Sequence, residues 1–264
     1  MKFETDKYID GFLKSNLDVI IQRVDLNWDG IIYVGGFEGD GKTTLAAQLC
    51  YYFDRTFNMD RVCFTADQFR KVVESAKPKQ AVLFDESYLT FNTGSRMTKE
   101  TRKVKSFLTM IRKKQLFIII VAPTVFDIDY YIICFRSLAL INVYAEGLER
   151  GFFAFYNRER KEQLYIKGKK THDMRVTRPN FKGRFSKWNV LNLKKYEKKK
   201  DEAIESVFKE GVPLWACPRC ESGSTKSRKQ GKEVWCRRCG FEGVPNNFYN
   251  KLKTKGGKNE KEME

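Results

Sequence analysis

Ile31-Ile32-Tyr33-Val34-Gly35-Gly36-Phe37-Glu38-Gly39-Asp40-Gly41-Lys42-Thr43-Thr44 joins an apolar, β-rich run to a glycine-rich loop and then to helix formers with no breaker. Gly-x-x-x-x-Gly-Lys-Thr between a strand and a helix reads as a phosphate cradle. Such a loop must turn its backbone N–H groups inward onto an anion. Gly36, Gly39 and Gly41 supply the positive φ values and the close approach that a Cβ blocks, and Phe37, Glu38 and Asp40 fill the backbone between them. The helix that follows adds the partial positive charge of its N-terminus. In this reading Lys42 bridges the β- and γ-phosphates of ATP, the Thr43 hydroxyl ligates Mg²⁺, and Thr44 contacts the α-phosphate.

Working outward, Phe12, Leu13, Leu17, Ile20, Ile21 and Val24 recur at helical spacing ahead of the loop. Behind it, residues 61–65 read as a second strand and 67–76 as a helix ended by Pro78. Ala81-Val82-Leu83-Phe84-Asp85-Glu86 is a third strand closing on two acids, where a phosphate-loop enzyme needs its second metal contact. Asp85 is expected to hold Mg²⁺ through water, and Glu86 to orient and deprotonate the attacking water. Val104, Phe107, Leu108 and Ile111 fall at i, i+3, i+4 and i+7, so residues 98–114 read as an amphipathic helix. Residues 116–121 form a wholly apolar strand, 138–144 a fifth, and 151–156 with 163–166 an antiparallel pair at the sheet edge. Alternation of this kind implies an α/β fold with a mostly parallel sheet.

With its extra strand between the loop strand and the acidic strand, the chain resembles P-loop ATPases of the RecA, FtsK and HerA kind. That resemblance implies a RecA-like core in which the 116–121 strand lies between the 31–34 and 81–85 strands. It also implies a polar sensor of the γ-phosphate after the inserted strand. Ala122-Pro123-Thr124 stands there, so Thr124 is the candidate, although Gln or Asn is the more usual residue. Lys105-Ser106-Phe107 and Ile111-Arg112-Lys113-Lys114 before Leu116-Phe117-Ile118-Ile119-Ile120 look like the Zot-like branch of the HerA/FtsK group, associated with phage and virus packaging, assembly or export. The likeness spans about residues 17–170. Members of the wider group work as rings in which an arginine reaches the neighbouring subunit's nucleotide, and here Arg112 and Arg136 are the candidates. Arg102, Lys103 and Lys105 line a DNA pore in one reading and a solvated face in the other.

A second pattern stands apart: Cys217-x2-Cys220 and Cys236-x2-Cys239, separated by fifteen residues. Two such knuckles complete a tetrahedral thiolate shell for Zn²⁺, with Gly240 suiting the reversal. No open coordination position is evident, so this zinc ribbon reads as structural. Charge follows the same division. Residues 1–150 carry 21 Lys and Arg against 19 Asp and Glu, whereas residues 151–264 carry 29 against 14. A near-neutral front and a strongly basic rear point to an enzymatic module joined to one that meets a polyanion. Arg219, Lys226, Arg228, Lys229, Lys232, Trp235, Arg237 and Arg238 set bases beside an aromatic, as phosphate contact and base stacking require.

The expected organisation is a P-loop ATPase domain over 1–168, a basic extension over 169–213, the ribbon over 214–245 and a charged tail over 246–264. The longest apolar run, Leu116–Pro123, falls short of the roughly 18 residues that span a bilayer. The charged N-terminus has no apolar signal core, and together these features suggest a cytoplasmic protein. The leading expectation is a homo-oligomeric ring, a hexamer being one form, that hydrolyses ATP to translocate or package DNA. The alternative is an ATP-switched virion-assembly or export factor whose ribbon docks a protein.

Overall fold

The computed structural model describes residues 7–85, 111–209, 215–216, 219, 225–228, 233–236, 239–243 and 249–250. Strand β1 (Gly30–Gly35) lies at the centre of a seven-stranded sheet with β2 (Val62–Cys63), β3 (Ala81–Phe84), β4 (Phe117–Val121), β5 (Ala139–Glu146), β6 (Glu149–Tyr156) and β7 (Phe181–Arg184). The order is β2-β3-β4-β1-β5-β6-β7. The first five strands in that order pair in parallel, and β6 and β7 continue antiparallel. The placement of β4 between β1 and β3 is the order that the resemblance implied. β1, β3 and β4 are buried along their whole length, as expected of parallel strands covered on both faces.

Helices α1 (Gly11–Asp25) and α2 (Lys42–Phe53) cover one face, and α3 (Ala66–Ser75) and α4 (Arg158–Gly168) the other. α1 starts where Asp10 caps it by accepting from the Leu13 N–H, and buries Leu13, Leu17, Ile20 and Val24. Phe12 belongs to the same helix but faces outward. α3 is capped by Thr65 and buries Phe69, which stacks on Phe84 of β3, and Val73.

One expectation is corrected. Residues 163–166 are not a strand but the middle of α4, because the Asn157 side chain caps the Arg160 N–H and begins a helix that carries them along. Residues 169–200 belong to the same compact unit as the sheet, and the boundary to the second unit (201–264) falls inside helix α5 (Leu193–Lys209). They supply β7 at the sheet edge and the first two turns of α5. Of the helix expected over 98–114, residues 98–110 lie outside the described residues, and 111–114 form a 3₁₀ turn.

In the second unit, β9 (Thr225–Arg228), β10 (Glu233–Cys236) and β11 (Glu242–Gly243) make a three-stranded antiparallel sheet. β8 (Trp215–Ala216) pairs with β12 (Tyr249–Asn250). Among the described residues no helix is long and apolar enough to cross a membrane.

One buried charge in the core has a measurable consequence. Lys161 of α4 is fully buried and donates from Nζ to the Ser137 carbonyl and, at 2.8 Å, to its hydroxyl. Burial pushes its pKa down to about 7. In the unfolded chain the same amine keeps its proton to about 10.4. Between those values the unfolded state binds one proton more, so stability rises with pH by about 1.4 kcal/mol per unit from this group. The buried Cys50, Cys63 and Cys134 thiols, raised by the same desolvation, work in the opposite sense as unfolded thiols ionise around pH 8.5, but they do so equally in wild type and in a Lys161 variant. Denaturant titrations at pH 7.0 and 8.5 should therefore show a gain in the wild type that Lys161→Met lacks; equal pH dependence in both proteins would exclude Lys161 as its source.

Candidate nucleotide site

The loop leaves the C-terminal end of β1 and enters α2 through Gly41, which adopts the left-handed region (φ +99°) and leaves the helix N-terminus with no side-chain cap. Uncapped N–H groups at a helix start are what an anion seeks. Gly36 and Gly39 also have positive φ (+136° and +83°). The Gly36 N–H donates to the Pro123 carbonyl at 3.0 Å, which holds the loop against the end of β4. Within the loop, Asp40 Oδ2 accepts from the Phe37 N–H at 3.2 Å, and Lys42 Nζ donates to the Phe37 carbonyl at 2.7 Å, which keeps the ammonium over the cradle.

Asp85 follows β3 directly and is buried. Its Oδ2 accepts from the Thr43 hydroxyl at 2.8 Å, so the two groups expected to share Mg²⁺ do meet. A hydroxyl has lone pairs left after donating its proton, and a carboxylate has further acceptor capacity, so this donor set fits a hard cation with oxygen ligands. A cleft of about 530 Å³ opens over the loop and is lined by residues 38–44, Asp85, Val121 to Pro123, Arg150, Gly151, Phe185, Lys187 and Lys200.

Other expected site residues fare differently. Glu86 and the pore candidates Arg102, Lys103 and Lys105 lie outside the described residues, as do Cys217 and Cys220. Thr124 is not on the cleft wall; its hydroxyl accepts from the Phe126 N–H at 3.3 Å and caps the turn beyond β4. Arg136 pairs with Asp29, ahead of β1 and so at the end of the sheet away from the loop. Arg112 sits in the 3₁₀ turn that precedes β4. In the second unit, Cys236 closes β10, Cys239 lies in the turn beyond it, and Gly240 is left-handed (φ +74°).

The sequence reading missed what residues 185–200 contribute. The Phe185 ring lies against Gly41, where an added Cβ would stand 3.3 Å from it. Gln48 of α2 is buried and donates to the carbonyls of Ser186 and Trp188 at 2.8 and 3.2 Å. Tyr196 of α5 donates its hydroxyl to Asp85 Oδ2 at 2.6 Å. In the sequence Tyr196 is a lone aromatic in a lysine-rich run, 194–200, read only as part of a basic extension, and nothing local ties it to Asp85.

Strand–loop–helix, sheet order and the Thr43–Asp85 pair together define a P-loop nucleoside triphosphatase domain. The family described as Novel STAND NTPase 3 matches residues 22–128, less than half of the chain but all of the loop and of β1 to β4. No curated protein matches. Among solved structures, the N-terminal domain of zonular occludens toxin from Neisseria meningitidis aligns at TM-score 0.41 and 13% identity, over 61% of this chain and 96% of that one. The genome-packaging NTPase B204 from Sulfolobus turreted icosahedral virus 2, in complex with ATP-gammaS, aligns at TM-score 0.37 and 14% identity, over 50% and 94%. Similarity at that level carries no statement about activity.

Proposed function

We propose that the chain is a Mg²⁺-dependent ATPase that acts on DNA as a homo-oligomeric ring, translocating or packaging it. The observation that carries the enzymatic part is the contact between Thr43 and Asp85 beneath a loop whose helix has no side-chain cap. Thr43 and Asp85 would hold Mg²⁺, which supplies charge neutralisation at the β- and γ-phosphates. Lys42 and the loop N–H groups bind and orient the phosphates. Glu86, next in sequence to Asp85, takes the proton of the attacking water. Arg112 is kept as the arginine that reaches a neighbouring subunit, since Arg136 is engaged by Asp29.

The DNA part rests on charge. Residues 151–264 hold 29 Lys and Arg against 14 Asp and Glu, and β10 places Trp235 opposite Lys226 of β9. That juxtaposition supports stacking beside phosphate contact. Cys217, Cys220, Cys236 and Cys239 are proposed to hold a structural Zn²⁺; a left-handed Gly240 just after the second knuckle fits the tight turn such a shell needs.

ATPase rate with and without DNA tests this reading. DNA should stimulate turnover, and about six phosphate contacts would weaken binding roughly 10³-fold between 50 and 200 mM salt. Metal analysis of the same protein should find one zinc per chain. No stimulation by DNA, with salt-independent capture of a protein, would replace the DNA reading with that of an ATP-switched assembly factor.

A further inference from the structure

Asp85 Oδ2 accepts two hydroxyl protons, one from Thr43 at 2.8 Å and one from Tyr196 at 2.6 Å. Thr43 comes from the loop helix, but Tyr196 stands 111 residues away from Asp85 in sequence, on a helix outside the loop and acid motifs. Both Tyr196 and Asp85 are buried. Two short hydrogen bonds to ionised oxygen from fixed directions define the plane of a carboxylate, and charge-assisted bonds of this kind are the strong ones. Removing one of the two donors loosens the orientation that they impose together.

Tyr196 is itself held on two sides. Its ring packs edge-on against Phe64 at 5.2 Å between centroids. One turn on, Lys199 Nζ donates to the carbonyls of Met59 and Val62 at 2.9 and 2.7 Å, docking α5 beside β2. The chain reaches this point through the Ser186 and Trp188 carbonyls bound to Gln48 of the loop helix. α5 therefore enters the site on a fixed path, with Lys200 on the cleft wall.

We infer that Tyr196 is a positioning residue for the metal-binding carboxylate: its hydroxyl orients Asp85 so that Mg²⁺ is bound in register with Thr43. This rests on the Mg-ATP reading given above. The hydroxyl touches neither nucleotide nor water in the reaction; it acts through Asp85.

Tyr196→Phe keeps the ring on Phe64 and removes only the donor, while Lys199→Met loosens the docking of α5 without touching Asp85. The measurements are binding of a fluorescent ATP analogue in EDTA and across a Mg²⁺ titration, with the melting temperature of each protein. For Tyr196→Phe the Mg²⁺ half-saturation should rise roughly three- to tenfold. Its metal-free affinity should stay within about twofold of wild type, and Lys199→Met, which keeps the Tyr196 hydroxyl, should shift the Mg²⁺ titration clearly less than Tyr196→Phe does. A Tyr196→Phe curve superimposed on wild type overturns the role, and so does a Lys199→Met curve shifted as far as that of Tyr196→Phe, which would assign the effect to helix docking. Wild-type protein that binds no analogue at any Mg²⁺ concentration fails the Mg-ATP reading itself, and the role of Tyr196 falls with it. Binding by wild type with no effect of Tyr196→Phe leaves that reading standing and removes only the present inference.

Discussion

Lys42→Ala should reduce kcat/KM for ATP by about 10²–10³-fold while leaving the melting temperature close to that of wild type. The size of the loss follows from removing one preorganised cation from a site where charge develops in the transition state, which costs about 3–4 kcal/mol when a single such donor is deleted. The small structural effect follows from where the side chain lies. Its ammonium donates to the Phe37 carbonyl within an exposed loop, and water can satisfy that carbonyl when the lysine is gone. Glu86→Gln is the informative contrast. It keeps the loop, Thr43 and Asp85, so it should bind ATP as wild type does and hydrolyse it on the order of 10²-fold or more slowly, the share usually assigned to a positioned base. Nucleotide binding by fluorescence and phosphate release measured on both variants separate the cradle from the chemistry. Wild-type turnover in Lys42→Ala would mean that the phosphates bind elsewhere.

That the loop and Asp85 could be read from sequence, and Tyr196 could not, has a physical basis. A phosphate cradle is local. Its glycines, lysine and threonine are consecutive because adjacent backbone N–H groups must converge on one anion, so the whole device is written in one short stretch. The apolar strands β1, β3 and β4 are legible for a related reason: burial on both faces demands unbroken hydrophobic runs. β7 is an edge strand of four residues, Phe-Lys-Gly-Arg, whose one apolar side chain gives no period to detect. Gln163-Leu164-Tyr165-Ile166 shows β-type residues, yet the cap at Asn157 and the burial of Lys161, Leu164 and Tyr165 on one helical face decide the matter. The Tyr196–Asp85 bond depends on how a late helix packs against an early strand, and no local pattern encodes a contact that distant. The loop glycines differ among themselves for the same reason, since what surrounds each one is tertiary.

Gly36→Ala and Gly39→Ala alter the same loop, and the structure predicts very different outcomes. A Cβ on Gly36 would stand 2.1 Å from the Val143 carbonyl oxygen, at a backbone conformation (φ +136°) that side chains rarely adopt. The obstacle is backbone of β5, not the end of a flexible side chain, so it cannot swing aside. Nor can the loop retreat freely, because the Gly36 N–H is held by the Pro123 carbonyl on the β4 side. Strain at φ and overpacking each cost about 1–3 kcal/mol, so a loss of about 3 kcal/mol or more is expected. In a domain of this size that lowers Tm by roughly 6–12 °C. Nucleotide affinity should fall with it, since relief of the clash must move the first turn of the cradle away from the phosphates. At Gly39 the nearest atom to an added Cβ is Arg150 Nη2, 4.0 Å away, and only the conformational penalty at φ +83° applies. Gly39→Ala should therefore cost about 1–2 kcal/mol and melt within a few degrees of wild type. Thermal melting of the two variants, each with and without Mg-ATP, reads the difference directly. If Gly36→Ala melts with wild type and binds nucleotide normally, the loop is not wedged between β4 and β5, and the account of how the fold holds its phosphate cradle fails at its first residue.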